Sequence, residues 1–310
     1  MRGLLRRGAS RCGLMGAYRR LLKTLPPSSQ RRWLYLRHHR RPLRLQHPVR
    51  FTEKVNWRMV YDRREVISLA CDKLSSKEYA VAHGVRVPQT LWVGTDVAEF
   101  ASSWTPEMCS EWVLKPNFSS GHIVFGSGRP DAEALAGTVG HWMGEKSRAT
   151  IGEWGYGSAR RVIFAEERLS PPDVPIQDYK FFVFQGRVLF CRTVHATVKP
   201  RRTRWYGEGW VPLDYRDGGY ELADPVPMPD TYADMEAAAQ RLGAAYDFVR
   251  VDLYDMDGQV VFGELTVYHT GGLQRLDRHL DLELGHAWSL PSVRAGSPRP
   301  RRGRRRRGPR

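Results

Sequence analysis

The chain has no apolar run approaching the roughly 20 residues that cross a bilayer, so a membrane-spanning helix is not expected. Cysteine is scarce. Cys12, Cys71, Cys109 and Cys191 form no CxxC pair, which excludes a disulfide framework and a thiolate zinc site and leaves them as packing residues. Lysine is also rare, at eight of the 49 basic residues. A lysine at a structural junction in so arginine-rich a chain therefore marks a place for a compact point charge. The first 50 residues hold no Asp or Glu at all.

That last absence locates the net charge of +16. Residues 1–50 carry +14 and residues 299–310 carry +8, so the remainder is mildly acidic at −6. A basic body that reads nucleic-acid sequence is excluded. The ends can meet anionic lipid or a polyanionic polymer without sequence reading, or stay solvated. The Pro-Arg-Gly stretch from 292 to 310 cannot build a core and is expected to be disordered. The Arg-rich start has a short apolar run broken by Gly13 and Gly16 and no clear cleavage site, which argues against a secretory signal. A transit peptide is the minor reading. The expected location is the cytoplasm, with peripheral attachment at the inner membrane face through the basic ends.

Residues 14–45 read as two short basic helices broken at Pro26-Pro27, with Trp33, Tyr35 and Leu36 docking on the body rather than on a membrane. From Pro48 onward, helical and strand patterns alternate, as in an α/β or α+β domain. Helix is expected over 51–62, with Thr52 as N-cap and Val55, Met59 and Val60 inward, and continuously over 66–84. Further helices are expected over 131–146 and 232–246. Strands are expected at 85–94, 112–116, 123–126 and 161–169, across 178–198 around Gln185-Gly186, and on both sides of Asp257-Gly258.

The last hairpin carries the most chemistry. Alternation puts Arg250, Asp252 and Tyr254 on one face, and Phe262, Glu264 and Thr266 on one face of the returning strand. A two-residue Asp257-Gly258 turn would separate Glu264 from Asp252. A three-residue loop would pair Arg250 with Glu264 and gather all the charges. The cost of burying lone carboxylates favours the shared face. Asp252 and Glu264 would then suit Mg²⁺, with Arg250 steadying a transferred phosphoryl group. An Arg250–Glu264 salt bridge without metal is the alternative. Lys115 precedes Ser119-Ser120-Gly121, whose small residues would let backbone N–H groups reach a phosphate. Glu166-Glu167-Arg168-Leu169 ends an apolar strand where a hinge could offer backbone groups to adenine and an acid to ribose.

These pieces, in this order, resemble the ATP-grasp superfamily, and within it the TupA-like (teichuronopeptide-biosynthesis) branch associated with cell-surface polysaccharides. The resemblance runs from about His47 to Pro291 and rests on HPVRFTEKVNW (47–57), CDKLSSKEYA (71–80), WVLKPNFSSG (112–121), DYKFFVFQG (178–186) and RVDLYDMDGQVVFGELT (250–266). It implies an α+β (α/β) ATP-grasp fold in which two subdomains with antiparallel sheets clasp ATP. The expected division is a basic helical arm at 1–46, an N-terminal α/β region at 47–110, a lid at 111–170, a catalytic subdomain at 171–291 and a tail at 292–310.

The resemblance implies ATP and Mg²⁺ as cofactors. It makes Lys73 and Lys115 nucleotide-phosphate lysines, and 117–121, with Ser119, Ser120 and Gly121, the loop closing over the phosphates. Glu166, Arg168 and Leu169 fall at the adenine hinge, Asp178 at the ribose and Lys180 near the phosphates. Arg250 is the phosphoryl-stabilising arginine, and Asp252 and Glu264 are the metal carboxylates. Thr266 stands where many relatives have Asn, which weakens a second metal position.

The implied activity is an ATP-dependent carboxylate–amine ligase working through an acyl phosphate. It would join an amino acid to an acidic glycan or peptide acceptor of the cell surface. The basic loop at 199–204, with Arg201, Arg204, Trp205 and Tyr206, is the expected acceptor contact. A sugar phosphotransferase and a non-catalytic polyanion binder are the competing readings.

Overall fold

The computed structural model describes residues 24–145, 152–171, 174, 176–195 and 202–292. The chain forms two sheets, antiparallel but for one parallel strand pair in the larger. The smaller has the order β1-β4-β2-β3, from β1 (Thr90–Gly94), β2 (Glu111–Pro116), β3 (Val124–Ser127) and β4 (Ile163–Glu167). The boundary expected at 110 falls inside this sheet, because β1 pairs with β4. Trp112, Leu114, Ile163 and Ala165 bury one face against α5 (Val97–Ser103) and α6 (Ala132–Gly144). Alternation leaves Lys115, Phe164 and Glu166 on the other face.

The larger sheet has seven strands. Six follow the order β11-β10-β5-β6-β7-β8, and β9 pairs with β7. These are β5 (Asp178–Phe184), β6 (Arg187–His195), β7 (Arg202–Tyr206), β8 (Pro212–Leu213), β9 (Glu221–Leu222), β10 (Val249–Met256) and β11 (Gln259–Thr266). Phe181, Val183, Val249, Val251 and Leu253 pack in one buried core with the Met235, Ala238, Ala239 and Leu242 stripe of α7 (Tyr232–Gly243). Gly243 has to be glycine, since a Cβ there would lie 2.4 Å from a Val183 methyl.

Three expectations about helices need correction. The single helix over 66–84 is two, α3 (Glu65–Cys71) and α4 (Lys73–Ala82). Asp72 breaks it by taking an extended backbone and accepting a bond from Ser75 N at 2.9 Å as the new N-cap. Thr52 is not a cap. It lies inside α2 (Phe51–Tyr61), where Glu53 reaches back to Arg50 N at 3.1 Å, and Thr52 instead donates to Asp281. Of the three inward residues expected there, Val55 and Met59 are buried and Val60 is only partly so. The stretch expected as a loop after residue 199 contains strand β7.

The described part of the basic arm, α1 (Pro27–His39), is docked on the body. Tyr35 is fully buried among Leu43, Leu45 and Trp57, while Leu36 stays exposed. Residues 1–23 and 293–310, on which most of the basic arm and tail readings fall, lie outside the described residues. No described helix is long and apolar enough to cross a membrane.

Candidate active site

The register of two hairpins builds the site. The β10–β11 turn is a two-residue turn pairing Met256 with Gln259, with Asp257 at φ 53° and Gly258 at φ 81°. The three-residue loop is therefore absent. The charges nevertheless meet, because Gly263 is an extra residue on β11. The register runs Leu253 opposite Phe262 and then Asp252 opposite Glu264. A Cβ on Gly263 would come within 3.0 Å of both Asp252 O and the Tyr254 ring, which accounts for the glycine.

The β5–β6 hairpin repeats the device. Its turn at Gln185 (φ 51°) and Gly186 (φ 77°) is followed by one extra residue, Leu189, between Val188 and Phe190. Lys180 is thereby placed opposite Arg192. Since Lys180 also pairs with Asp252, a row Glu264–Asp252–Lys180–Arg192 crosses four strands.

Within this row Arg250 donates to Asp252 from Nε and Nη2, each at 2.6 Å, and from Nη2 to Glu264 Oε1 at 2.8 Å. Lys180 Nζ donates to Asp252 Oδ2 at 2.5 Å and also to Asp178. Thr266 Oγ1 donates to the same Glu264 oxygen at 2.9 Å. Burial works against the charges of Arg250, Lys180 and Asp252. Arg250 and Lys180 nonetheless hold the Asp252 carboxyl below its ordinary range, and Asp252 in turn holds Arg250 and Lys180 above theirs. Burial pushes Asp178 up despite Lys180, and its Oδ1 is buried with no hydrogen-bond partner among the described residues. Asp178, expected at the ribose, thus stands in the same cluster as Asp252 and Glu264, the carboxylates expected to hold a metal.

The smaller sheet supplies lysines. Lys115 and Lys77 both clasp Glu166, Lys77 at 2.9 Å, and both lie over the Phe164 ring. Glu166, expected to offer an acid near ribose, is buried and already shared by two ammonium groups, which hold it below the usual carboxylate range against the opposing effect of burial. Arg168 donates its backbone N–H to Glu111 O at 3.0 Å and lays its guanidinium over Phe125. Leu169 is half-buried in the bend that follows.

Lys73, the first residue of α4, donates to Pro116 O at 3.1 Å and to Ser119 O. Burial, and then the charge of Lys115, lower it to about 8, while Glu264 and Glu166 oppose the shift. Lys73 is thus within electrostatic reach of both sheets. The start of the 117–121 loop is pinned: Asn117 is fully buried, accepts from Leu74 N at 2.9 Å and donates to Arg160 O at 3.0 Å. Ser119 Oγ is buried with no partner among the described residues, Ser120 is half-buried, and Gly121 turns outward at φ +83°.

The acceptor residues expected on the basic loop do not form an open surface. Trp205 has 0% exposure and packs on Phe182 at 4.7 Å. Tyr206 is equally buried. Arg204 is turned inward, donating to Ala223 O at 2.7 Å and pairing with Asp214. These are core residues of a strand, and no ring face remains for a sugar. Arg201 lies outside the described residues.

Sequence reasoning passed over three neighbours of the site. Lys77 carried a signal, being one of the few lysines and one helical turn beyond Lys73. His269 accepts from Arg250 Nη1 at 3.1 Å, and burial with the Arg250 charge pushes it well below its ordinary value. It is therefore neutral and protonated on Nε2. Arg192 enters the row only through the bulge at Leu189.

A family model, TupA-like ATP-grasp, matches residues 53–289, most of the chain and both sheets. The chain belongs to the TupA-like ATP-grasp family. Among solved structures it is similar to a D-alanine–D-alanine ligase from Bacillus anthracis (14% identity, TM-score 0.41, covering 65% of this chain and 58% of that one). It is also similar to VanG D-Ala:D-Ser ligase from Enterococcus faecalis (15%, TM-score 0.37, 65% and 54%). A third is the macrocyclase MdnC from Microcystis aeruginosa (15%, TM-score 0.36, 67% and 55%). The TupA-like chain thus spans 54–58% of the length of these structures. No curated protein matches it.

The donor set of this ATP-grasp site fits a magnesium nucleotide. Magnesium takes one or two carboxylates and completes its shell with water and phosphate. Glu264, with 43% of its side chain exposed, stands directly opposite Asp252 and offers such a pair. Ser119 Oγ, beside Lys73 and with no partner among the described residues, would offer a hydroxyl to a phosphate.

Proposed function

We propose that the chain is an ATP-dependent carboxylate–amine ligase. The observation that carries this reading is Arg250, a buried guanidinium anchored by three hydrogen bonds to Asp252 and Glu264, with Lys180 on the same Asp252 carboxylate. Fixed cations in a water-poor site stabilise charge that moves during transfer without reorganising at that moment.

Lys73, Lys115 and Ser119 would hold the nucleotide phosphates, and the backbone around Arg168 and Leu169 would border the adenine. Asp252 and Glu264 would hold magnesium, with Thr266 fixing the orientation of Glu264. The bound ion would neutralise phosphate charge. Arg250 and Lys180 would steady the γ-phosphoryl as a carboxylate oxygen of the acid substrate attacks phosphorus and the bond to the β-phosphate oxygen breaks, releasing ADP. The amine then attacks the acyl carbon, phosphate leaves, and the amine proton passes to solvent. No nucleophilic side chain is needed. Positioning the reactants and excluding water from the acyl phosphate supply the rate.

The substrates we infer are an amino acid as amine and a carboxylate-bearing glycan or peptide as acid. Attachment to an anionic surface through the basic ends is part of the same proposal. The test is Mg²⁺-dependent ADP release screened over amino acids combined with acidic sugars and acidic peptides, with Glu264→Ala as control. Acceptor-dependent ADP release that Glu264→Ala abolishes is the expected result. A stable phosphorylated sugar with no amide would replace the ligase with a phosphotransferase.

A further inference from the structure

Beyond Lys180 the charged row ends on Arg192, which none of the assigned roles uses. Its guanidinium is 3% exposed, pairs with Asp217 Oδ2 at 2.8 Å and lies 5.0 Å from the centroid of the Tyr220 ring. Its Nη2 has no hydrogen-bond partner among the described residues, nor does Gln274 Oε1, although Gln274 Nε2 donates to Asp217. A buried guanidinium with an unused donor is costly in a finished core, so a cluster of such atoms points to a group that is still to arrive.

These atoms lie behind a cleft of about 650 Å³. Asp217, Tyr220 and Gln274 line it together with His38, Arg216 and Arg275. Arg275 is fixed to α1 through Nε, which donates to His38 O at 2.6 Å. Gly218 lets the 217–220 turn approach closely, since a Cβ there would strike the Gln274 side chain at 2.3 Å. Of the aspartates lining the cleft, Asp217 is already paired with Arg192 behind it and Asp277 is engaged in capping α8 (Arg278–Ala287), which leaves the charges of Arg216 and Arg275. The cleft therefore favours an anion. Arg192 and Asp252 lie two strands apart, roughly 10 Å at the usual strand spacing. A substrate held at the rim could thus extend its far end toward Lys180.

We propose that this cleft binds the acid partner of the ligation, a small substrate bearing at least two carboxylates. One would be gripped by Arg216 and Arg275, and the other would reach past Arg192 to the phosphoryl site. Planar guanidinium forks suit carboxylates in this way. The assignment rests on the ligase reading, but its test is binding rather than turnover.

The probes are digalacturonate and the dipeptide Glu-Glu, with maltose and Gln-Gln as their uncharged counterparts, titrated calorimetrically into the full chain. Mg·ATP is titrated separately. At least one acidic probe should bind tenfold or more tightly than its counterpart, and which one does identifies a sugar acid or an amino acid. R216A/R275A should weaken that probe at least tenfold while leaving Mg·ATP affinity within twofold. The single charge reversal R275E should weaken it further than R275A does, which separates electrostatics from any loosening of α1. Acidic probes that fail to bind while Mg·ATP binds, or that bind both variants as they bind the unaltered chain, overturn the cleft assignment alone. Acid binding that follows the prediction without Mg·ATP binding leaves the cleft standing and removes the ligase reading.

Discussion

The two sheets carry opposite surpluses of charge. On the smaller sheet and the helix against it, Lys73, Lys77 and Lys115 surround a single carboxylate, Glu166. On the larger sheet, Asp178, Asp252 and Glu264 surround two cations, Lys180 and Arg250. Their solvent contact differs too, since Asp252 is 2% exposed at the side chain and Glu264 is 43% exposed. A polyphosphate needs cations on one side, and a divalent ion bound to it needs carboxylates on the other. In the ligase reading neither sheet would form the site alone, and Glu264 would be the carboxylate open to an arriving ion.

The most severe way to break this contrast is to remove the bulge. Gly263→Val, whose Cβ would meet Asp252 O and the Tyr254 ring at 3.0 Å in the bulge, favours a regular ladder in which residue 263 faces Asp252 and Glu264 turns to the opposite face, and ADP release should fall at least a thousandfold. Circular dichroism and a thermal melt would show whether the sheet persists. Asp252→Asn comes next. It leaves Arg250 and Lys180 buried with one counter-charge fewer, which costs about 3–5 kcal/mol by analogy with broken buried pairs. Urea unfolding should show the loss, together with loss of ADP release.

Glu264→Gln should sharpen the comparison by separating the two effects. Its exposed end predicts a stability change within about 1 kcal/mol, against a fall in ADP release of a hundredfold or more. Magnesium titration should then need a higher concentration to reach half-saturation. On the smaller sheet, Lys115→Ala leaves Glu166 paired with Lys77, so it should raise the KM for ATP about tenfold with a modest change in kcat.

The mildest prediction concerns pH. Lys73 is lowered to about 8, so its charge is full below that value and is lost as pH rises through it. ATP affinity should therefore decline between pH 7 and 9, and Lys73→Met should remove that step. An unchanged pH profile in the variant would place the titration elsewhere.

The strands other than β7, β8 and β9, and the charged face of β10, were legible in the sequence because alternation is local. Glu264 was correctly grouped with Asp252, but through the wrong turn. The two-residue turn and the shared face both exist, reconciled by Gly263, and a bulge depends on a partner strand that no local pattern contains. The same holds for Leu189, which is why Arg192 escaped notice. Asp72 was readable as a helix start, yet the unbroken apolar pattern around it concealed the break. Trp205 and Arg204 looked like an exposed basic loop because their composition is polar. Strand pairing with β6 and the bond from Arg204 to Ala223 O turned them inward instead. The α1 helix docked as expected because Tyr35 had a buried hydroxyl partner, Thr52, at 3.0 Å.

The central claim is that acids and cations from the two sheets close on one magnesium nucleotide. The direct measurement is Mg·ATP binding by calorimetry to the unaltered chain, to Lys115→Ala and to Glu264→Gln. The account predicts micromolar-range binding that Lys115→Ala weakens with or without magnesium, and that Glu264→Gln weakens only when magnesium is present. Binding that is absent, or that loses nothing in either variant, would contradict it.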